Sequence, residues 1–192
     1  MRKGELKRTT TETDIFMSLN IDGSGKCDIQ SGIGFLDHML KLLAHHSKFD
    51  ITLKCKGDTF VDCHHSTEDI GIVFGKLLYE LLGDKKGIAR YAHSYIPMDE
   101  SLCRCALDIS GRPYLCFNAS FNEKIGEFDS ELIEEFFRAV TSYGFITMHI
   151  DLIRGENSHH KAEAVFKSFA VSLGEAVKVV GSNVPSSKGV IE

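Results

Sequence analysis

The sequence predicts an α+β fold of two similar halves, each with a mostly antiparallel sheet packed on helices. The pattern His-His-x-x-Glu occurs twice, at His64-His65-x-x-Glu68 and His159-His160-x-x-Glu163, and a shift of 95 residues superimposes the copies. The strands and helices predicted before each copy follow in the same order, to within a few residues. An internal duplication explains both observations. We therefore expect one domain over 1–192, with half-repeats at about 1–94 and 95–192.

Hydrophobic periodicity places the elements of the first half. Alternating apolar residues over 13–21 indicate a strand, and Asp22-Gly23-Ser24-Gly25 reads as a turn. A helical stripe covers 35–46, a strand covers 49–55, and a short strand after Gly57-Asp58 leads to His64. A second helix begins near Ser66, and Gly83, which can adopt positive φ, ends it.

The second half repeats this order. Strands are predicted over 103–109 and 114–121, joined by the turn Gly111-Arg112-Pro113. A helix follows over roughly 131–142, then a strand over 145–153 and a long helix from about 159 to 179.

Composition excludes several classes of function. The net charge of −5 and pI near 6.0 give no basic footprint for nucleic acid. The chain has no run of eighteen apolar residues, so we expect no membrane span, and its first residues lack the apolar segment of a secretory signal. Six cysteines without a Cys-x-x-Cys pair indicate reduced thiols. We therefore expect a cytoplasmic protein.

The repeated His-His-x-x-Glu pattern predicts a metal site. Residues three and four apart share a helix face, so Glu68 points the same way as the histidines before it. Adjacent histidines diverge by about 100° on a helix, so each pair would serve two metals or two faces. Imidazole and carboxylate without thiolate suit Mn, Fe, Ni or Zn. The alternative is two pairs of histidines that only cap helices.

Further ligands are expected on the other helix of each half. His38 lies on the first helix, and Glu135 occupies the equivalent position of the second half. A solvated helix face shared with neighbouring glutamates is the alternative for Glu135. Cys63 has Ser158 as its counterpart and is interpreted as a packing residue, and His149 as a sheet residue.

The segment Pro185-Ser186-Ser187-Lys188-Gly189-Val190 offers hydroxyls and an ammonium that could fold over an anionic ligand. Its composition favours an unstructured tail instead. Arg90, Arg112 and Lys167 could complete an anion site, although each alone is typical of a surface charge.

Several stretches together resemble the imidazoleglycerol-phosphate dehydratase family over essentially the whole chain. They are Gly34-Phe35-Leu36-Asp37-His38-Met39-Leu40, His64-His65-Ser66-Thr67-Glu68-Asp69-Ile70, Met98-Asp99-Glu100, Gly111-Arg112-Pro113-Tyr114, Asn157-Ser158-His159-His160, Phe166-Lys167 and the segment 185–190. The resemblance implies a hydro-lyase of histidine biosynthesis that converts D-erythro-imidazole glycerol phosphate to imidazole acetol phosphate. It also implies a duplicated α+β fold, two Mn²⁺ ions per active site, and shells of 24 subunits with sites at subunit contacts.

The resemblance also assigns expected roles to residues. The metal positions fall on His38, His64, His65, Glu68, His159, His160 and Glu163, and an eighth, often His in the family, falls on Glu135. The substrate positions fall on Glu12, Arg90, Arg112, Lys167, Ser187 and Lys188, with Ser186 alongside. The candidates for proton transfer are Glu12, Glu68 and Glu163. The chain has Leu42 where the family often has Gln, and Cys63 where it often has Asp.

Two other classes of function remain open from the residues alone. A metal-storage protein would need the histidines but no arginines for phosphate. A metallohydrolase would use a metal-bound hydroxide and release free phosphate.

Overall fold

The computed structural model describes residues 1–191, which contain eight strands and four helices. The first half contains β1 (Lys3–Thr9), β2 (Thr13–Asn20), β3 (Cys27–Gln30), α1 (Gly34–Ser47), β4 (Asp50–Gly57) and α2 (His64–Leu82). The second half contains β5 (Tyr91–Met98), β6 (Ser101–Asp108), β7 (Tyr114–Asn118), α3 (Leu132–Gly144), β8 (Thr147–Arg154) and α4 (Ser158–Ala176). The order of elements is the same in both halves.

The two sheets share one topology. Their strand orders are β1-β2-β4-β3 and β5-β6-β8-β7. In each sheet the first three strands pair antiparallel and the last pairs parallel with its neighbour. The two similar halves and the mostly antiparallel sheets predicted from the sequence are therefore confirmed.

Helices cover one face of each sheet and then pack against each other. The contacts run from α1 and α2 to the first sheet, and from α3 and α4 to the second. Between the halves, α1 packs on α4 and α2 packs on α3. Buried aromatic side chains fill the core of the second half. The ring centroids of Phe137 and Phe166, for example, lie 4.9 Å apart. This arrangement brings residues of α1 beside residues of α4.

Several predicted boundaries are wrong. No strand precedes His64, because residues 58–63 form a turn closed by the Val61 amide donating to the Asp58 carbonyl. The strand predicted to reach 121 ends at Asn118, and the helix predicted to reach 179 ends at Ala176. The edge strands β1, β3 and β5 are not predicted, because their inward positions lack a continuous set of apolar residues: β1 and β5 have Arg8 and Ser94 there, and the short β3 buries only Ile29. Gly83 does end α2, with φ of 53°.

Close packing between α2 and α3 depends on glycine. A Cβ added at Gly75 would lie 2.9 Å from the amide nitrogen of Gly144 and 2.9 Å from the carbonyl oxygen of Val140. We expect Gly75→Ala to destabilise the fold by about 1–3 kcal/mol, because backbone must move to admit the methyl group. Urea unfolding measures this, with Gly34→Ala as control, where the added Cβ meets nothing within 4 Å. Equal unfolding midpoints for the two variants would contradict the prediction.

Candidate metal centre

His38 is placed by a well-anchored first turn of α1. The Asp37 carboxylate accepts hydrogen bonds from the amide and hydroxyl of Ser31, at 2.7 and 2.5 Å. This contact ties the chain before the helix to its first turn. The His38 side chain remains 43% exposed, so its imidazole is open to a ligand.

The start of α4 is fixed by two acceptors. Asn157 caps the helix, and its side-chain oxygen accepts from the amides of His159 and His160 at 2.9 and 3.2 Å. Glu100, in the turn between β5 and β6, accepts from the amides of Glu156 and Asn157 at 3.2 and 2.9 Å. Both histidines therefore begin the helix with their backbone held rigidly.

His38, His159 and Glu163 meet where α1 packs on α4. Glu163 Oε1 lies 3.0 Å from His38 Nε2 and 3.1 Å from His159 Nε2. One potential ligand atom from each residue lies within 4.8 Å of the others, and no other group of three among the described residues meets this limit. Two imidazole nitrogens and a carboxylate that converge in this way can hold a divalent cation.

Glu163 is kept ionised in the cluster. Burial raises the pKa of Glu163, but the hydrogen bonds from Lys167 and His38 outweigh it and lower the pKa to about 2. Lys167 Nζ donates to Glu163 Oε2 at 2.5 Å, which leaves Oε1 facing the two imidazoles. The carboxylate is therefore available as an anionic metal ligand at neutral pH.

The second histidine of each pair faces away from its neighbour and rests on a carboxylate. His65 Nδ1 lies 2.9 Å from Asp58 Oδ2, and His160 Nδ1 lies 2.7 Å from Glu100 Oε2. The rings within each pair are nearly perpendicular, at 84°. The hydrogen bond to Asp58 raises the pKa of His65, and that to Glu100 raises the pKa of His160. The two histidines of a pair thus have different environments, as the helix geometry predicts.

The equivalent residues of the first half are not gathered in the same way. Glu135 lies on α3, which packs against α2, the helix that carries His64 and Glu68. Its carboxylate lies 3.5 Å from Arg138 Nε on its own helix. Its role as a ligand therefore stays a prediction.

The segment 185–191 is not the unstructured tail that its composition favours. It folds back on Arg90, whose guanidinium donates to the Pro185 carbonyl at 2.7 Å and to both carboxylate oxygens of Asp108. With Arg112 it closes a cavity of about 450 Å³, lined by Arg90, Tyr91, Ser110, Arg112, Ser186, Ser187, Lys188, Val190 and Ile191. The cavity places two guanidinium groups and an ammonium around one space.

Lys167 and Glu12 lie outside this cavity. Lys167 pairs with Glu163, as described above, and Glu12 Oε1 lies 3.7 Å from His65 Nε2. Arg90 is joined to the far end of α4, where its amide donates to the Ala176 carbonyl at 2.9 Å. Glu163 and Ala176 are 13 positions apart (176 − 163), which corresponds to about 20 Å along the helix. Within one chain, the histidine cluster and the arginine cavity are therefore well separated.

Comparison with known proteins identifies the family. The profile of the family described as "Imidazoleglycerol-phosphate dehydratase" matches residues 31–173. The imidazoleglycerol-phosphate dehydratase of Clostridioides difficile (strain 630) is 55% identical over 192 residues, which cover all of both chains. The chain belongs to this family. As a member of the imidazoleglycerol-phosphate dehydratase family it is a hydro-lyase, the class to which dehydratases belong.

Solved structures of the family have the same fold. The crystal structure of imidazoleglycerol-phosphate dehydratase from Staphylococcus aureus subsp. aureus N315 matches with a TM-score of 0.84 and 49% identity, covering 92% of this chain and 99% of that one. IGPD from Pyrococcus furiosus in complex with (S)-C348 matches with a TM-score of 0.84 and 34% identity, covering 96% and 99%. Within residues 1–191, no helix has the length and apolar character needed to cross a membrane.

Sequence reasoning did not select Asp58 and Glu100. Asp58 follows a strand-ending glycine, and Glu100 lies in a turn far from its histidine in the sequence. Spacing along one helix cannot reveal such partners, because each comes from a different element.

Proposed function

We propose that the chain catalyses the metal-dependent dehydration of D-erythro-imidazole glycerol phosphate to imidazole acetol phosphate, a step of histidine biosynthesis. The observation that carries the proposal is the convergence of His38, His159 and Glu163 in a chain similar over its full length to dehydratases of this substrate. The same cluster supports the requirement for a divalent metal.

We assign Mn²⁺ to the cluster and propose two ions per active site. The nitrogen and oxygen donors suit this borderline-hard cation. The duplication supports a second position built from His64, Glu68 and Glu135, which are the counterparts of His159, Glu163 and His38. His65 and His160 point elsewhere and would complete the coordination of metals held by other copies of the chain.

The cavity under residues 185–191 would hold the phosphate. Arg90 and Arg112 offer guanidinium groups, and Ser186, Ser187 and Lys188 add hydroxyls and an ammonium. Charge-assisted hydrogen bonds of this kind orient an anion as well as bind it. A storage protein would have no use for such a cavity.

An active site shared between copies of the chain follows from the separation of the two regions. The cluster and the arginine cavity lie at opposite ends of α4, about 20 Å apart by helix rise. One imidazole ring on a three-carbon phosphate ester is too short to reach both. We therefore propose a homo-oligomer in which the arginines of one copy face the histidines of another, and we take the number of 24 subunits from the resemblance to the family.

The reaction removes a proton from carbon and a hydroxyl group from the neighbouring carbon, and the resulting enol becomes a ketone. When bound, Mn²⁺ supplies Lewis-acid polarisation of the imidazole ring, the only electron sink in the substrate. The chain's carboxylates would move the protons. Glu163 is ionised and accepts a hydrogen bond from Lys167. Glu163, Glu68 and Glu12 are the candidates for proton transfer. Phosphate binding at the arginines would fix the reacting carbons in place.

Metal removal tests the proposal. After chelation and gel filtration we expect no formation of imidazole acetol phosphate, because the ring would lose its electron sink, and we expect Mn²⁺ to restore it. The assay follows the ketone and free phosphate in parallel. Full activity of the chelated protein would contradict the metal requirement.

The same assay separates the alternatives. A metallohydrolase would release phosphate without ketone, and a storage protein would bind Mn²⁺ without turnover.

We also propose a cytoplasmic location. All six cysteines are free, including the buried Cys103 and Cys105 of β6, which fits a reducing compartment.

A further inference from the structure

The two outward-facing histidines are held through the same ring nitrogen. His160 Nδ1 contacts Glu100 and His65 Nδ1 contacts Asp58, at 2.7 and 2.9 Å. A carboxylate can only accept a hydrogen bond, so Nδ1 carries the hydrogen in both rings. In the neutral ring the lone pair then lies on Nε2, which points away from that carboxylate and lies 3.7 Å from a second one, Glu12 beside His65 and Asp99 beside His160.

The two carboxylates are not equivalent by the duplication. Asp58 lies between β4 and α2, whereas Glu100 lies in the turn between β5 and β6. Each half has therefore placed an acceptor on the same nitrogen from a different element. The carboxylate–Nδ1 hydrogen bond is thus made in both halves by residues that are not equivalent, which indicates that it has the same role in both.

We propose that Glu100 and Asp58 are positioning residues that fix the tautomer of His160 and His65, so that Nε2 of each is presented to a divalent metal outside its own chain's cluster. The proposal rests on the metal-dependent function proposed above. Metal-bound histidines commonly donate their other ring nitrogen to a carboxylate, which orients the ring and strengthens the ligand. Neither carboxylate touches the metal in this arrangement.

Glu100 offers a sharp test because its two oxygens have different partners. Oε1 accepts from the amides of Glu156 and Asn157, and Oε2 faces His160. Backbone amides can only donate, so in Glu100→Gln the single side-chain oxygen must stay with them. The side-chain NH₂ group then faces His160 Nδ1, which has to become an acceptor. The hydrogen moves to Nε2 and removes the lone pair that binds metal, while the anchor of the loop is retained.

Asp58 provides an internal contrast. Its Oδ1 is buried and has no hydrogen-bond partner among the described residues. Nothing therefore fixes which end of the side chain faces His65 in Asp58→Asn, and the amide oxygen can still accept from Nδ1. We expect Asp58→Asn to weaken metal binding less than Glu100→Gln.

The first measurement needs no metal. Solid-state ¹⁵N NMR of histidine-labelled, metal-free protein, at a pH well above the ordinary histidine pKa, reports the tautomer of each ring. We expect one ring to change from the Nδ1–H to the Nε2–H form in Glu100→Gln, and a His160→Gln variant identifies its signal. The control is Glu156→Gln, which removes an exposed carboxylate from the neighbouring loop between β8 and α4, whose backbone Glu100 binds, and should change no ring. An unchanged His160 tautomer in Glu100→Gln overturns the proposal.

The second measurement is the binding of Mn²⁺, followed by EPR of the free ion. Relative to the unsubstituted protein and Glu156→Gln, we expect about 10- to 100-fold weaker binding for Glu100→Gln at the sites that use His160. Equal affinities would overturn the metal-presenting role. If the unsubstituted protein binds no Mn²⁺, the proposed function fails and the metal-presenting role fails with it, while the NMR result still decides whether Glu100 sets the tautomer.

Discussion

Glu163→Gln is expected to lower turnover by about 10²- to 10⁴-fold, the range for loss of a positioned acid or base. The carboxylate contacts His38, His159 and Lys167 at once. A neutral amide keeps the shape of the side chain but loses the charge that attracts a cation and accepts a proton. Steady-state kinetics with imidazole glycerol phosphate, together with Mn²⁺ stoichiometry, measure both losses.

The matched control lies on the same helix. Glu175→Gln removes an exposed carboxylate that pairs only with Lys178 near the end of α4, and it should leave turnover unchanged. If Glu163→Gln retains both full turnover and full metal content, the cluster is not the metal site.

Arg90→Ala is expected to raise KM by roughly 10- to 150-fold. It removes a charged donor to the phosphate, worth about 1.5–3 kcal/mol, and releases the hydrogen bond that holds Pro185. Arg90→Lys keeps the charge but not the planar fork, so we expect an intermediate KM. Limited proteolysis after residue 185 should be faster in Arg90→Ala, because the segment loses its anchor.

Arg104→Ala is the control for this prediction. Arg104 also pairs with an aspartate, Asp151, but on the outer face of the second sheet. An unchanged KM and unchanged proteolysis in Arg90→Ala would contradict both the phosphate role and the anchoring role.

The sequence predicts the duplicated architecture well because the repeat carries two independent signals. The His-His-x-x-Glu pattern recurs at a fixed offset, and the apolar stripes of α2 and α4 recur with it. Edge strands escape this reasoning. Only Leu6 and Gly4 of β1 face the helices with apolar or small groups, and the rest of that strand is polar or charged.

The candidate site is predictable only in part. Helix spacing explains why His159 and Glu163 share a face, but the partner from α1 and the carboxylates under His65 and His160 depend on tertiary contacts. Composition also misleads at 185–191, where the hydrogen bond from Arg90 to the Pro185 carbonyl anchors a segment with two serines. The local sequence pattern therefore identifies ligands that share one helix, but not the carboxylates from other parts of the chain that orient them.

The crossing of α1 over α4 has a consequence for the independence of the halves. The cluster takes His38 from the first half and His159 and Glu163 from the second, so neither half can assemble it alone. A polypeptide of the first half lacks His159 and Glu163, and one of the second half lacks His38, so the two halves have to meet for the cluster to form. In the fused chain a bound cation acts as a cross-link between the repeats, and its binding energy adds directly to the cost of pulling them apart.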